Sequence, residues 1–262
     1  MEDTLSPEAA ASLLQAIAEG QGIEESVSTQ TLLALAEMAL DLERMGICEK
    51  LAFSAHSKAS HDEDKESVAW ALFLIARVKL TDTLQLIQEA RLDDQEIHID
   101  VGLLGALQEA REAAEVLQNI RLIGNIEQLE GIHHKALGNI TGARDSFVRS
   151  LASKEEIGDI LGTANSLHSL GEIAMDQNQF EDALAFFDRA AETYEMAEEM
   201  LECAHSLSLS SHALIQNNRL EEANERLENS LEIGREMEDI STQIVAHWGL
   251  ADLGHLTGNI SL

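Results

Sequence analysis

Histidine is the side chain in this sequence with the widest chemical reach. Seven of the ten histidines fall between positions 133 and 255: His133, His134, His168, His205, His212, His247 and His255. Imidazole ligates metals, moves protons and titrates near neutral pH. A metal site, however, needs several ligands converging at about 2 Å with a supporting shell of hydrogen bonds. His205 and His212 are two helical turns apart, and no His-Glu-x-x-His or paired Cys/His motif occurs. No metal or other cofactor is expected, and the histidines read as polar filler. Nucleophilic chemistry has as little support. Cys203 precedes Ala204-His205 but reads as a packing residue near the start of a helix. Gly102-Leu103-Leu104-Gly105 lies in an apolar helical stretch and lacks the Lys-Ser/Thr of a phosphate loop, and there is no Gly-x-Ser-x-Gly elbow. Carboxylates are abundant, but no pair is set in a recognisable cleft. The expectation is a protein that is not an enzyme.

The elements that position these residues are helical. Hydrophobic residues make up 45 % of the 262-residue chain, aromatics only 3 %, and there is a single proline, Pro7. Strand-rich folds need more aromatic and β-branched residues and more turns. Ala, Leu, Glu and Gln dominate instead, and they favour helix. The charge is lopsided, with 17 Lys plus Arg against 48 Asp plus Glu, a net charge of −31. Such a polyanion repels nucleic acid and anionic lipid and attracts basic proteins or peptides. Cys48 and Cys203 match no metal spacing and read as buried residues of a reducing compartment. Met1-Glu2-Asp3 opens no secretory signal, and no apolar run nears the ~18–20 residues that cross a bilayer. The expected location is the cytoplasm, with no membrane contact.

Along the chain, Ser6-Pro7-Glu8 predicts a helix start that runs to Gly20-Gln21-Gly22. Further helices are predicted over 29–45 with Gly46 as the stop, over 47–59 and over 66–79. Thr81-Asp82 reads as a cap for a short helix to about Leu92, and Asp93-Asp94 as the start of a broken helix to about Leu117. From Ile120 the helices fall at 120–137, 141–157, 160–177, 180–198, 200–217, 220–238 and 240–257. Gly138-Asn139, Gln177-Asn178, Asn217-Asn218 and Gly258-Asn259 punctuate the joints.

A forty-residue period underlies this half. Gly131, Gly171, Ser211 and Ala251 keep the interval, as do Ala143, Ala183 and Ala223, and Phe147, Phe187 and Leu227. Such a period marks stacked supersecondary units, none of which buries its apolar face alone. Within 160–199, Leu167, Gly171, Ala183, Phe187 and Ala190 have the spacing of the tetratricopeptide signature, and Leu207, Ser211, Ala223, Leu227 and Ser230 repeat it. In the copy before, Gly131, Ala143, Phe147 and Ser150 fit, but Glu127 stands where a large apolar residue belongs. The chain therefore resembles the tetratricopeptide-repeat family, in a longer form like that of Pins-type adaptors and bacterial regulators. The resemblance implies an all-α, right-handed α-solenoid of antiparallel helix pairs, about thirteen helices in all. It divides the chain into a degenerate region, 1–119, and a regular array, 120–262, ending in an unpaired helix.

The resemblance also implies a concave groove lined by the first helix of each pair. Carried over, its positions are Asn125 and Gln128, then Asn165, His168, Ser169 and Glu172, then His205, Ser208, Leu209 and His212, with Trp248, Asp252 and His255 continuing the row. Lys and Arg are almost absent from this set, so an acidic tail is a poor fit. Amides, imidazoles and a few acids suit an extended peptide with a basic side chain. The expected function is a protein-interaction adaptor; the alternative is an acidic regulatory subunit or inhibitor of a basic protein. The helix over 240–257 shows Ile244, Val245, Trp248, Leu250, Leu253 and Leu256 on more than one face. It is expected either to cap the array or to self-associate or meet a partner.

Overall fold

The computed structural model describes residues 6–23, 26–92 and 101–257. The helix start read at Asp93-Asp94 and the joint at Gly258-Asn259 lie outside them. Among the described residues there are twelve helices and no strand: α1 (Pro7–Ala18), α2 (Thr29–Asp41), α3 (Met45–His61), α4 (Lys65–Leu92), α5 (Val101–Leu117), α6 (Ile120–Ala136), α7 (Ile140–Glu156), α8 (Ile160–Asp176), α9 (Phe180–Met196), α10 (Met200–Gln216), α11 (Leu220–Glu236) and α12 (Ile240–Thr257).

The period has a local cause. Helices α6 to α11 each have 17 residues. Three residues then complete each unit of twenty: the C-cap, a left-handed residue, and the N-cap of the next helix. The left-handed residues are Gln118 (φ 53°), Gly138 (77°), Gly158 (67°), Asn178 (58°), Glu198 (62°), Asn218 (57°) and Glu238 (53°). At Asn119, Asp159, Gln179, Glu199, Arg219 and Asp239 the residue after the turn folds its N–H back onto a carbonyl of the last turn, as in Gln179 N–H to Ala174 O (2.8 Å) and Arg219 N–H to Leu214 O (2.9 Å). That is the Schellman bond, which satisfies an otherwise orphaned carbonyl. The same residue opens the next helix. At Asn119, Asn139, Asp159 and Asp239 its side chain accepts the N–H three residues on, at 2.6–3.0 Å.

The first unit spans 1–136 and the second 137–262. In the first, α2 packs on α3, α3 on α4 and α4 on α5, around a core that includes Leu14, Leu35, Leu51, Leu74 and Leu103. Trp70 is half-buried against it, edge-on to Phe73 at 5.7 Å. Ser6 caps α1 with Pro7 in its first turn, as the sequence predicts. Two expectations are corrected here. The α2 helix stops at Asp41 because Glu43 takes the left-handed turn (φ 55°), and Gly46 lies inside α3. Thr81-Asp82 caps nothing, since α4 runs through it. The hydroxyls of Thr81 and Thr83 donate to the carbonyls of Arg77 (3.2 Å) and Lys79 (2.7 Å), which lets both threonines sit mid-helix. One helix where two were expected accounts for twelve rather than about thirteen.

Glu127, the departure from the repeat signature, is buried on α6. Arg111 of α5 reaches it at 3.8 Å and binds Glu130 with two hydrogen bonds of 3.0 and 2.6 Å. A buried carboxylate is tolerated here because a guanidinium stands beside it.

In the second unit, α8 and α9 pair, α10 and α11 pair, and α10 also packs on α9. Phe187 is fully buried. A Cβ added at Gly171 would lie 2.6 Å from its ring, so the glycine is the close-approach position that the signature requires. Forty residues on, Ser211 and Leu227 are both fully buried. Ala251 is exposed: α12 packs on α11 and α10, and no described helix covers its other side.

Candidate functional site

The helices α8, α10 and α12 contain no Lys or Arg. The cations of the second unit stand on its other helices and links, and ion pairs there include Lys154–Asp159, Arg189–Glu155, Arg219–Glu222 and Arg226–Asp188. The face built by α8 and α10 is thus neutral to acidic.

On that face the structure brings together three of the sequence-predicted residues. Asn165 and His168 lie one turn apart on α8, and His205 lies opposite on α10. The rings of His168 and His205 are 5.1 Å apart. His168 Nδ1 is 2.9 Å from Ser206 Oγ, a fully buried hydroxyl. The His168 ring also meets Phe187 edge-on at 5.6 Å and Tyr194 at 6.3 Å. Tyr194, buried on α9, donates its hydroxyl to Asn165 Oδ1 at 2.6 Å. Burial, with Glu202, Glu172 and Glu199 nearby, raises the phenol pKa and keeps it a donor. Asn165 is exposed, and its carboxamide is fixed by that bond. Ring packing and the serine fix His168 in turn.

Tyr194 and Ser206 are not among the sequence-predicted positions. Tyr194 sits on the second helix of its pair, whereas the family pattern points to the first. The available signal was its identity as the chain's single tyrosine, whose hydroxyl needs a partner once buried.

Other predicted positions are placed differently. Ser169 and Ser208 are buried and do not face solvent. Ser169 donates to Asn165 O (3.0 Å), and Ser208 shares a hydrogen bond with Ser230 (2.8 Å). Both act in helix packing. Glu172 and Leu209 are half-buried, and His212 is exposed two turns beyond His205. Trp248 is 75 % exposed on α12, and Asp252 and His255 are exposed too. Asn125 and Gln128 are half-buried one turn apart on α6, in the first unit.

Neither cysteine is poised for attack. Burial pushes the Cys48 thiol up to about 11, and burial with Glu195 raises Cys203. Among the described residues no three His, Cys, Asp or Glu side chains are grouped to hold a metal, and no helix is long and apolar enough to cross a membrane.

These features define a helical-repeat protein with a polar, preorganised face. Residues 163–198 match the family model described as Tetratricopeptide repeat. Solved structures share the fold. The apo form of RapI superposes with a TM-score of 0.69 at 13 % identity, covering 87 % of this chain and 60 % of that one. The chain therefore spans about three fifths of RapI's length. A Rap protein complexed with Competence and Sporulation Factor gives 0.70 at 13 % identity, over 95 % of this chain and 67 % of that one. A signal transduction ATPase with numerous domains and a tetratricopeptide repeat sensor, from Pyrococcus horikoshii, gives 0.60 at 17 % identity, over 96 % of this chain and 36 % of that one. No curated protein matches by sequence.

Proposed function

We propose that the chain is a non-catalytic cytoplasmic adaptor that holds an extended peptide or protein segment against the face of α8, α10 and α12. The observation that carries this reading is the fixed cluster of Asn165, His168 and His205, held from behind by Tyr194 and Ser206. Side chains ordered before binding lose less entropy on binding, so each hydrogen bond to a peptide backbone yields more affinity. The lack of Lys and Arg on these helices, with Glu172, Glu202 and Asp252 present, favours a ligand with a basic side chain. The likeness to a Rap protein complexed with Competence and Sporulation Factor supports the reading at the level of fold.

The excess of carboxylates favours a second reading, an acidic regulator of a basic protein. Salt separates the two. Binding of a library-selected peptide survives a rise from about 0.1 to 0.5 M salt if groove contacts carry it, and collapses if net charge does.

A contact through α12 belongs to the same proposal. Ala164 and Gly171 on α8, and Ala204 and Ser211 on α10, are buried. Their equivalents on α12, Ile244 and Ala251, are exposed, and so is the adjacent Trp248. A helix from a second copy of the chain would cover this stripe.

A further inference from the structure

A second surface lies on the other side of α10. A cavity of about 410 Å³ opens between α9 and α11. Its apolar floor includes Met200, Cys203 and Leu207 of α10 and Ile233 of α11. At 100° per residue, Cys203 and Leu207 point away from His205 and His212, so this cleft is separate from the face described above. Its walls are anionic. Glu192 and Glu195 rise from α9, and Glu232 and Glu236 from α11. All four are exposed, and none makes an ion pair among the described residues. The cleft holds one cation. Arg226 of α11 crosses to Asp188 of α9 with hydrogen bonds of 2.6 and 3.1 Å.

Two rows of like charge above an apolar floor repel each other, and a cation from outside relieves that repulsion. A simple ion would leave the floor wet. Arginine and lysine combine a methylene stem, which covers apolar surface, with a charged head that stays at the rim among carboxylates. Arginine adds a planar fork that matches carboxylate geometry, as Arg226 does with Asp188 within the chain. We propose that this cleft docks arginine side chains of a protein segment, on a face distinct from that of α8, α10 and α12. The inference does not depend on the proposed peptide site.

The probe is a fluorescein-labelled, alanine-based helical peptide with arginines along one side, titrated against the full chain by anisotropy. A twin with citrulline for each arginine removes the charge. The arginine peptide binds and the citrulline twin does not. Neutralising the walls (Glu192→Gln, Glu195→Gln, Glu232→Gln, Glu236→Gln) weakens binding by about tenfold or more, a loss on the scale of one or two charge-assisted hydrogen bonds. Asn229→Arg, which supplies a resident cation from the α11 wall, does the same. Neutralising four exposed carboxylates elsewhere (Asp82→Asn, Glu109→Gln, Glu112→Gln, Glu221→Gln) changes it by less than about twofold. Equal losses in the two sets would overturn the proposal in favour of net charge alone. Displacement by spermidine at the peptide's own concentration would overturn it in favour of a small polycation site. Loss of binding in His168→Ala/His205→Ala would move the peptide to the α8–α10 face; its retention there, with the wall effects, supports the cleft.

Discussion

Exchanging one repeat's packing pair for the other's tests the register of the array. In the α8–α9 pair a glycine faces a phenylalanine, Gly171 against Phe187. Forty residues on, the α10–α11 pair has Ser211 and Leu227 at the same positions. A Cβ at 171 would meet the Phe187 ring at 2.6, 2.7 and 2.9 Å, distances that real Cβ atoms do not keep. Gly171→Ser therefore overpacks by about 1–3 kcal/mol, of which helix propensity returns about 0.5. Phe187→Leu removes part of a fully buried ring and costs about 1–2 kcal/mol. If the two were independent, the double variant would lose about 3 kcal/mol. The shorter leucine vacates the space the serine needs, so the double variant is expected to lose only about 1 kcal/mol, a favourable coupling near 2 kcal/mol. Urea unfolding followed by far-UV circular dichroism reads the totals, and hydrogen exchange of the α8 and α9 amides localises them. A double variant equal to the sum of the singles within about 0.5 kcal/mol would refute the packing argument.

Three further outcomes follow from named residues. Glu198→Gly and Glu238→Gly each relieve a left-handed backbone without glycine's help and should raise stability by about 0.5–1 kcal/mol in urea titrations, since both lie outside the helices. His133 is 4 % exposed, its Nε2 finds no hydrogen-bond partner among the described residues, and burial with His134 lowers its pKa below the ordinary 6.5. The unfolded chain then binds the proton more readily, so stability is full above about pH 6.5 and falls as pH drops below it; His133→Leu should flatten that slope, and an unchanged slope would assign it to other groups. Trp248→Asp should abolish concentration-dependent sedimentation of the wild-type chain, and wild-type sedimentation as a monomer at all concentrations would end the self-association proposal.

Much of the regular half is legible because its signals are redundant. Every helix from Ile120 onward falls within two residues of its predicted ends, since apolar periodicity, small residues at close approach and three-residue links all agree. The N-terminal half hides the same device. Glu43 and Glu63 are left-handed residues twenty positions apart, but glutamate at such a turn carries no local signature, so Gly46 drew the reading instead. Thr81 misled because a threonine hydroxyl can satisfy a helix N-terminus or a carbonyl four residues back, and only tertiary context selects. In the candidate site, Asn165 and His168 on α8 and His205 on α10 are legible as polar positions of the first helices of their pairs. Ser169 and Ser208 were not distinguishable from them, because a small hydroxyl that bonds to its own helix or to Ser230 is buried at little cost. Tyr194 required knowing that α9 reaches behind α8.

Selection of a peptide by the α8–α10 face is open to a direct test. The direct measurement pans the chain against a random peptide library and compares affinities of the enriched peptides for wild type and for the combined variant His168→Gln, Glu172→Gln, His205→Ala, His212→Ala. Enriched peptides are expected to carry basic side chains and to lose affinity by about tenfold or more in the variant, with helicity unchanged by circular dichroism. Equal affinity for both proteins would place the site elsewhere and contradict selection by this face.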